Sequence, residues 1–386
     1  MRPVRRGYVR DQRVSYVWIG VSRWLDPIRR GEPMRVVVTG ATGNVGTAVL
    51  DALSTTPEVT SIAGLARRKP AAERPGVDWV AADVRSTDLA AIFRGADAVI
   101  HLAWAFQPTR RPLDTWRTNV GGTERVLDAV ATAGVPALVY ASSIGAYSPG
   151  AGDTPVDETW PTEGWPEASY MVEKAYVERV LDLFEQQHSE CRVVRMRPAF
   201  IFQRASASEQ RRLFAGPLVP NRLVRPELLP VLPYPRGLRF QTLHSADVAT
   251  AYAAAVVADV RGAFNLAAEP VVDRAQIERT LEVRAISVPP RLVRTVLAGA
   301  WYLHLAPATP GLFDALMHLP VLDTTRARTE LGWAPRIAAT DTLRLFLDAF
   351  RRGTGGPTPP LAPDAGGPAR HREFGSGVGG HDPVDE

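Results

Sequence analysis

A tyrosine and a lysine four positions apart are the first residues in this chain that could do chemistry. The segment EASYMVEKAYVERV predicts a helix, and its spacing places Tyr170 and Lys174 on one face. An ammonium group beside a phenol favours the phenolate, so this pair could exchange a proton near neutral pH. The preceding strand, which bears Ser142 and Ser143 in YASSIGAY, ends at the sheet edge where open α/β sheets bind ligands.

Three glycines in MRVVVTGATGNVGTAVLDAL mark a second candidate site. A strand pattern precedes them and a helical pattern follows. Gly40 suits the tight turn, Gly43 lets the main chain approach a pyrophosphate, and Gly46 lets the helix pack on the strand. The helix N-terminus then offers N–H groups and partial positive charge to the phosphates. This pattern predicts a dinucleotide site.

The end of the second predicted strand indicates which dinucleotide binds. An NAD site usually has an acidic residue there, for the ribose 2′-hydroxyl. This chain has GLARRKP instead, with Arg67 and Arg68 and no acidic residue. Planar guanidinium groups suit a 2′-phosphate, so NADP(H) is favoured and NAD(H) is the alternative.

Alternating strand and helix patterns must position these residues. Continuous apolar runs predict buried parallel strands at RVVVTG, VTSIAGLA, ADAVIHLAW and PALVYASS, with a shorter strand at VDWVAAD. Helical patterns lie between them. A long helix, SYMVEKAYVERVLDLFEQQ, and a strand, CRVVRMRPAFIF, follow. The fold class is therefore α/β, with a Rossmann-type doubly wound parallel sheet over residues 34–202. The alternation breaks down over residues 203–352, which are expected to contain a smaller substrate-binding lid and returning Rossmann elements.

The two ends of the chain differ from its middle. Residues 1–33 contain eight arginines and three acidic residues, a net charge of +5, which leaves the rest of the +4 chain close to neutral. They are expected to be disordered or to lie before the natural start at Met34. Residues 353–386 are rich in glycine and proline, and composition predicts disorder.

Composition limits the classes of function. The excess positive charge lies in residues 1–33, here called the leader, and this argues against a nucleic-acid-binding function. No apolar run approaches the roughly 18 residues that cross a bilayer. A lone cysteine, Cys191, rules out an internal disulfide, and with seven scattered histidines no metal site is expected. These features predict a cytoplasmic protein without nucleic-acid or membrane partners.

Nine motifs follow one another in a recognisable order: TGATGNVG, Asp83-Val84, HLAW, TNVGGT, ASSIGAY, YMVEK, RMRPAFIF, LHSADVA and GAFNLAAEP. With them the chain resembles the extended short-chain dehydrogenase/reductase family, also called the NAD-dependent epimerase/dehydratase family. The resemblance covers nearly all of residues 34–350. It implies an enzyme that uses NAD(P), and a homodimer paired through the asparagine and tyrosine helices is one assembly that this family often adopts.

The resemblance also implies roles for individual residues. Tyr170 would be the general acid/base, Lys174 would bind the nicotinamide ribose and support the tyrosine, and Ser143 would hydrogen-bond the substrate oxygen, with Ser142 as the alternative. Asn119, His244 and Asp247 are expected to support the structure. The expected cofactor-binding residues are Gly40, Thr42, Gly43, Asn44, Val45, Gly46, Arg67, Arg68, Asp83, Val84, Leu102, Ala103, Tyr170, Lys174 and Pro198.

Departures from the family pattern help to choose the reaction. Sugar dehydratases of the family place an acidic pair where this chain has Ile144 and Gly145, so dehydration is disfavoured. Nucleotide-sugar members carry an arginine where this chain has Phe240, with Arg239 one place earlier. Other arginines could substitute: Arg204, Arg211, Arg212, Arg222, Arg225 and Arg236. The favoured function is NADP(H)-dependent hydride transfer to or from a carbonyl/alcohol pair of a small organic molecule. A nucleotide-sugar epimerase with bound NAD is the first alternative, and a non-catalytic NADP(H)-binding sensor is the second.

Overall fold

The computed structural model describes residues 33–150, 152–219, 231–375 and 377–381. The predicted leader, apart from Pro33, and the candidate arginines Arg222 and Arg225 lie outside these ranges.

Strands and helices alternate through the first two hundred residues. The described strands are β1 Met34–Thr39, β2 Val59–Ala66, β3 Val77–Ala81, β4 Ala98–His101, β5 Ala137–Ala141, β6 Pro155–Val156, β7 Arg192–Pro198, β8 Phe200–Phe202, β9 Val231–Pro235, β10 Phe240–His244, β11 Gly262–Leu266, β12 Ala268–Val272, β13 Arg284–Val288 and β14 Val321–Leu322. The described α-helices are α1 Asn44–Ser54, α2 Leu89–Phe93, α3 Pro112–Trp116, α4 Gly122–Ala133, α5 Ser169–Gln187, α6 Ala207–Gln210, α7 Ser245–Val257, α8 Arg274–Leu281, α9 Pro290–Tyr302, α10 Pro310–Leu316, α11 Thr325–Glu330, α12 Ala339–Arg352 and α13 His371–Gly375.

A parallel sheet of seven of these strands forms the centre, in the order β11-β7-β5-β4-β1-β2-β3. Both of its faces are buried. Val36 and Val38 of β1 pack into a core cluster shared with α1 and α7, whereas Val37 packs into a second cluster shared with α2, α4 and α5. Continuous apolar strands are what a sheet covered by helices on both faces requires. The predicted α/β class with a doubly wound parallel sheet is therefore confirmed.

The predicted strand CRVVRMRPAFIF is two strands in two sheets. β7 ends at Pro198 and stays in the central sheet, whereas β8 pairs with β10 in a separate three-stranded sheet of order β12-β10-β8. Proline has no N–H to donate, so Pro198 is a natural place for the ladder to end. Two further pairs, β13 with β9 and β14 with β6, complete the described sheets beyond the centre.

The second half of the chain also returns to the central sheet. β11 extends its edge beside β7, and α7 packs against α1. The carboxyl ends of β1, β4 and β5 consequently open towards the same edge, where the glycine turn and Ser143 follow their strands.

The C-terminal segment differs from its prediction of disorder. Its described residues after Gly353 pack against the body of the protein, with Leu361 fully buried and Glu373 paired with Arg211 in a buried ion pair. Low apolar content correctly indicates that this segment has little core of its own. Composition missed the tertiary contacts, because a few anchors on the body are enough to order a short chain.

Across the described ranges, the helices are too short or too polar to traverse a lipid bilayer.

Candidate active site

Of the three glycines in the turn between β1 and α1, one has free space where a side chain would lie. Gly40 has a φ of +68°, and an added Cβ would lie 2.7 Å from the Ala103 nitrogen. At Gly46 an added Cβ would lie 2.7 Å from the Ala41 carbonyl carbon. At Gly43 the nearest atom to an added Cβ would be the Gly40 oxygen, at 3.5 Å, which is ordinary contact. The fold therefore requires the first and third glycines, while the second leaves room beside the main chain.

This turn fits a pyrophosphate. Gly43 is the N-cap of α1 and supplies no side-chain hydrogen bond to the first turn of the helix. The N–H groups of that turn can therefore bind an anion, aided by the helix dipole. Asn44 instead uses its side chain inside the protein, donating to the Ile201 carbonyl and accepting from the Ser245 hydroxyl. Its expected contribution to cofactor binding can come only from the backbone while these bonds persist.

The end of β4 lies directly against the glycine turn. The Thr39 hydroxyl accepts hydrogen bonds from the backbone nitrogens of Leu102 and Ala103 and pairs with His101 Nδ1 at 2.7 Å. Burial lowers the pKa of His101 to about 3, with Lys174 adding to the effect, so this histidine is neutral. Leu102 and Ala103 thus lie beside the glycine turn, and their cofactor role stays a prediction.

A basic cavity of about 670 Å³ lies beyond the end of β2. Arg67 lines it together with Arg85 and Arg125, whereas Arg68 is exposed and is not among its lining residues. Burial alone would raise the pKa of Asp83, but the hydrogen bonds and charge of Arg85, with the charge of Arg67, lower it. The carboxylate expected to face the adenine is therefore held by Arg85.

Val84 and Pro198 are the remaining predicted cofactor residues away from the turn. Val84 is buried, its carbonyl accepts from Arg125, and its side chain lies 2.8 Å from an added Cβ at Gly122. Pro198 is buried at the end of β7 beside Leu266. Both residues have close structural packing, and their cofactor roles stay predictions.

Tyr170 and Ser143 come together at the end of β5. Ser143 lies close enough to the Tyr170 phenol to oppose the rise in its pKa, and the Ser143 hydroxyl accepts from the Gly145 nitrogen at 2.9 Å. Burial raises the pKa of Tyr170 to about 12 even though the serine hydrogen bond opposes the effect. The phenol is therefore protonated at neutral pH. This differs from the expectation that a nearby ammonium favours the phenolate.

The contacts of Lys174 explain this difference. Its Nζ donates to the Ala141 carbonyl at 2.6 Å, lies 3.3 Å from the centre of the Trp104 ring, and is 5.9 Å from the centre of the Tyr170 ring. Burial lowers the pKa of Lys174 well below its usual value. The pair shares a helix face as predicted, but the lysine is directed to the backbone and to the indole.

Ser142 has a different environment from Ser143. Its hydroxyl donates to Glu178 at 2.5 Å, and Arg197 binds the same carboxylate through two nitrogens at 2.9 Å. Burial alone would raise the pKa of Glu178, but Arg197 and Arg195 lower it to about 2. Ser142 therefore belongs to a buried network, which supports the preference for Ser143 as the substrate-binding serine.

Exchanging these two serines for alanine is expected to separate catalysis from stability. Ser143→Ala should lower turnover by about 10²-fold, the usual cost of one lost donor at a reacting oxygen. Ser142→Ala should leave turnover nearly unchanged and lower the free energy of unfolding by about 2 kcal/mol, because Glu178 loses a hydrogen bond. Steady-state kinetics and urea unfolding measure the two effects. A greater loss of turnover in Ser142→Ala would reverse the assignment.

Aromatic residues cover the catalytic candidates. We define the aromatic loop as residues 102–111, after β4. Phe106 stacks on Tyr170 with ring centres 4.8 Å apart, and Trp104 meets the same ring edge-on at 6.0 Å. Two other aromatic residues, Phe200 and Phe202 of β8, stack on each other and contact Phe240 and Phe346. Only the aromatic-loop residues among these four contact the tyrosine ring within the described chain.

Asn119 positions the aromatic loop. Its side chain accepts from the Ala105 nitrogen, donates to the Ala105 carbonyl, and donates to Glu173 at 2.7 Å. Glu173 also accepts from the Thr115 hydroxyl, and burial raises its pKa. Sequence reasoning assigned no role to Glu173, because a charged residue on a long helix usually faces solvent. Its position next to Lys174 was the available signal.

The fold and the turn together define a Rossmann-type dinucleotide-binding protein. The family whose sequence profile matches residues 36–267 is the NAD dependent epimerase/dehydratase family. That match covers more than half of the chain, and the chain belongs to this family. It is therefore an NAD(P)-dependent enzyme, an oxidoreductase or an epimerase.

Three individual proteins illustrate how similar the chain is to its relatives. The chain is 39% identical over 110 residues to an L-arabinose 1-dehydrogenase (NAD(P)(+)) of Haloferax volcanii, a match that spans 28% of this chain and only 41% of that protein. It is 28% identical over 345 residues to an uncharacterized protein of Mycobacterium tuberculosis, covering 83% and 84% of the two chains. A UDP-glucose 4-epimerase of Streptomyces lividans is 31% identical over 156 residues, which cover 38% of this chain and 46% of that protein.

Solved structures show the same fold. A UDP-glucose 4-epimerase from Stenotrophomonas maltophila, with bound NAD and formylated UDP-arabinopyranose, has a TM-score of 0.62 at 22% identity, covering 83% of this chain and 98% of that one. The UDP-glucose 4-epimerase from Thermotoga maritima, with UDP-glucose, has a TM-score of 0.61 at 18% identity, covering 83% and 99%.

Proposed function

We propose that this protein is an NADP(H)-dependent reductase or dehydrogenase that interconverts a carbonyl and an alcohol of a small organic molecule. The observation that carries the proposal is the bridge formed by two consecutive residues. Ala103 contacts Gly40 of the glycine turn, and Trp104 contacts both Tyr170 and Lys174. A turn suited to a dinucleotide and a tyrosine suited to proton transfer are therefore neighbours across one short segment.

The side chains of this site have complementary tasks. When bound, the nicotinamide cofactor supplies hydride to a carbonyl carbon or removes it from an alcohol carbon. In reduction, the Tyr170 phenol gives its proton to the carbonyl oxygen and becomes a phenolate, and in oxidation the phenolate takes the proton of the alcohol. Ser143, which lies beside the phenol, would orient the same oxygen. Lys174 would bind a ribose hydroxyl, and Trp104 and Phe106 shield the tyrosine from water.

One observation argues against dehydration, another reaction of this family. At Gly145, where dehydratases of the family place one of their acids, an added Cβ would lie 3.0 Å from Tyr170 Cε1. A longer side chain there would crowd the tyrosine ring, so the site disfavours a dehydratase arrangement.

The preference for NADP(H) is supported by the basic cavity. Arg67, Arg85 and Arg125 converge on it, and guanidinium groups bind phosphate through charge-assisted hydrogen bonds. Arg85 also pairs with Asp83, and Asp114, the carboxylate that lines the cavity, pairs with Arg111 and Arg117. Arg67 would contact the 2′-phosphate that distinguishes NADP(H) from NAD(H).

Cofactor titration tests this preference. NADPH is expected to bind the unmodified protein more tightly than NADH, and Arg67→Ala should weaken NADPH about tenfold to a hundredfold while leaving NADH nearly unchanged. Arg68→Ala is the matched control, because Arg68 does not line the cavity. Fluorescence titration gives both dissociation constants. Tighter binding of NADH, or equal losses of both cofactors in Arg67→Ala, would contradict the assignment.

A nucleotide-sugar epimerase is the second candidate, favoured by the solved relatives that contain UDP-sugars and NAD. Three of the described arginines in this region have other partners. Arg239 pairs with Asp153, Arg211 with Glu373, and Arg212 donates to the Pro360 carbonyl. Protein that purifies with NAD bound, and interconverts UDP-sugars without added cofactor, would establish the epimerase instead. A screen of aldoses and small ketones with NADP⁺ or NADPH would detect the reductase.

A further inference from the structure

The C-terminal strap, defined as residues 354–375 and 377–381, reaches the glycine turn. It leaves α12 after Gly353, where the Ser208 hydroxyl binds the Gly353 and Thr354 carbonyls. Four residues further on, the buried Thr358 hydroxyl donates to the Thr42 carbonyl at 2.7 Å. Thr42 lies between the first two glycines of the turn that is suited to the pyrophosphate.

The far end of the strap reaches the aromatic loop and the basic cavity. The Gly379 carbonyl accepts from the Arg110 nitrogen at 3.0 Å, and the Gly380 carbonyl accepts from Arg111 Nε at 3.0 Å. Both arginines belong to the aromatic loop that covers Tyr170. His381 lines the basic cavity together with Arg67. The strap therefore touches the regions proposed for the pyrophosphate and for the 2′-phosphate.

The middle of the strap is fastened to the segment that carries Phe214. Glu373 forms a buried ion pair with Arg211, and the Pro360 carbonyl accepts from Arg212 at 3.1 Å. Gln107 of the aromatic loop donates to the Arg212 and Leu213 carbonyls. Strap, aromatic loop and residues 211–215 thus form one connected layer over the cleft.

This layer has less buried apolar surface than the sheet beneath it. The strap is held by the buried Glu373–Arg211 ion pair and by the buried side chains of Leu361 and Val378. Its contacts with the glycine turn and the aromatic loop are individual hydrogen bonds, such as those at Thr358 and Gly380. Segments with few buried apolar contacts open locally while the rest of a protein stays folded. The strap can therefore leave the cleft without unfolding the central sheet.

We propose that the C-terminal strap is a gate that controls exchange of the dinucleotide. This inference rests on the proposed cofactor site. With the strap in place, Thr358 is bonded to the glycine turn, and the aromatic loop keeps Trp104 over Lys174, the residue expected to bind the ribose. Entry and release of the cofactor require the strap to detach, so its contacts slow both steps.

The test compares two altered chains with the unmodified protein. A chain ending at Gly353 keeps the left-handed glycine cap of α12 and lacks the whole strap. That deletion also removes the partner of the buried Arg211, so Thr358→Val, which keeps the ion pair, is the second variant. Thr329→Val, on the surface of α11, is the matched control for losing a threonine hydroxyl.

Stopped-flow fluorescence with NADPH measures association and release. We expect the truncated chain to exchange NADPH at least about fivefold faster in both directions and Thr358→Val about threefold faster, whereas Thr329→Val should match the unmodified protein. Equal rate constants in the unmodified protein and Thr358→Val, or in a folded truncated chain, would overturn the gate and leave the cofactor site standing. Failure of every chain to bind either NADPH or NADH would overturn the proposed function and the gate together.

Discussion

Tyr170→Phe is expected to lower turnover by about 10²- to 10⁴-fold while changing cofactor affinity little. The change removes only the hydroxyl that transfers the proton. The phenyl ring can keep its stacking on Phe106 and its edge contact with Trp104, so the fold of the site should persist. Steady-state kinetics on the substrate found in the carbonyl screen, together with NADPH titration, measure the two quantities.

The control for this variant lies on the same helix. Tyr176→Phe removes a phenol that is 43% exposed and whose ring contacts Trp116, away from Ser143. Its turnover should equal that of the unmodified protein. Unchanged turnover in Tyr170→Phe would mean that another group supplies the proton, and the proposed mechanism would be wrong. A function that depends only on cofactor binding, as in a sensor, would also survive this substitution.

The second large effect is expected at the middle glycine of the turn. Gly43→Ala should weaken NADPH binding about tenfold to a hundredfold, because the methyl group would occupy the space beside the main chain that a pyrophosphate needs. The protein itself should tolerate the change. Gly43 has a φ of −78°, and its added Cβ meets only ordinary contact. The loss of unfolding free energy should be about 1 kcal/mol or less, as for other changes at an N-cap.

Two further glycines make this experiment specific. Gly299→Ala, on the exposed helix α9 with nothing within 4 Å of the added Cβ, should leave affinity unchanged and raise the free energy of unfolding by about 0.5–1 kcal/mol, because alanine is the better helix former. Gly46→Ala should destabilise the fold, because its Cβ would collide with the backbone of Ala41. Calorimetric titration and thermal unfolding of the three variants separate these cases. Normal affinity in a folded Gly43→Ala protein would place the dinucleotide elsewhere.

Elements with a strong local pattern could be predicted to the residue. VTSIAGLA corresponds to β2 and SYMVEKAYVERVLDLFEQQ to α5, because their apolar spacing and end residues agree with their tertiary environment. The strand at 191–202 was predicted as continuous, but its two parts pair in different sheets on either side of Ala199. Strand partners are chosen over long sequence distances, which no local pattern records.

Some features of the candidate site could likewise be predicted from the sequence, and others could not. The spacing of Gly40, Gly43 and Gly46 could be predicted from the sequence, since Gly40 and Gly46 meet steric needs of the fold and Gly43 leaves room beside the main chain. The raised pKa of Tyr170 could not be predicted from the sequence. It depends on burial by the aromatic loop and on the direction of the Lys174 side chain. Those are properties of side chains brought together from β4, β5 and α5.

By itself, the sequence determined the α/β class, the dinucleotide turn and the shared helix face of Tyr170 and Lys174, because these follow from periodicity and from the steric properties of single residues. Tertiary structure alone decided that Ser143 lies at the tyrosine while Ser142 is bound to Glu178. It also decided that the glycine-rich C-terminal segment lies across the cleft. Such outcomes depend on which distant groups meet and on how deeply they are buried, and both are settled only when the chain has folded.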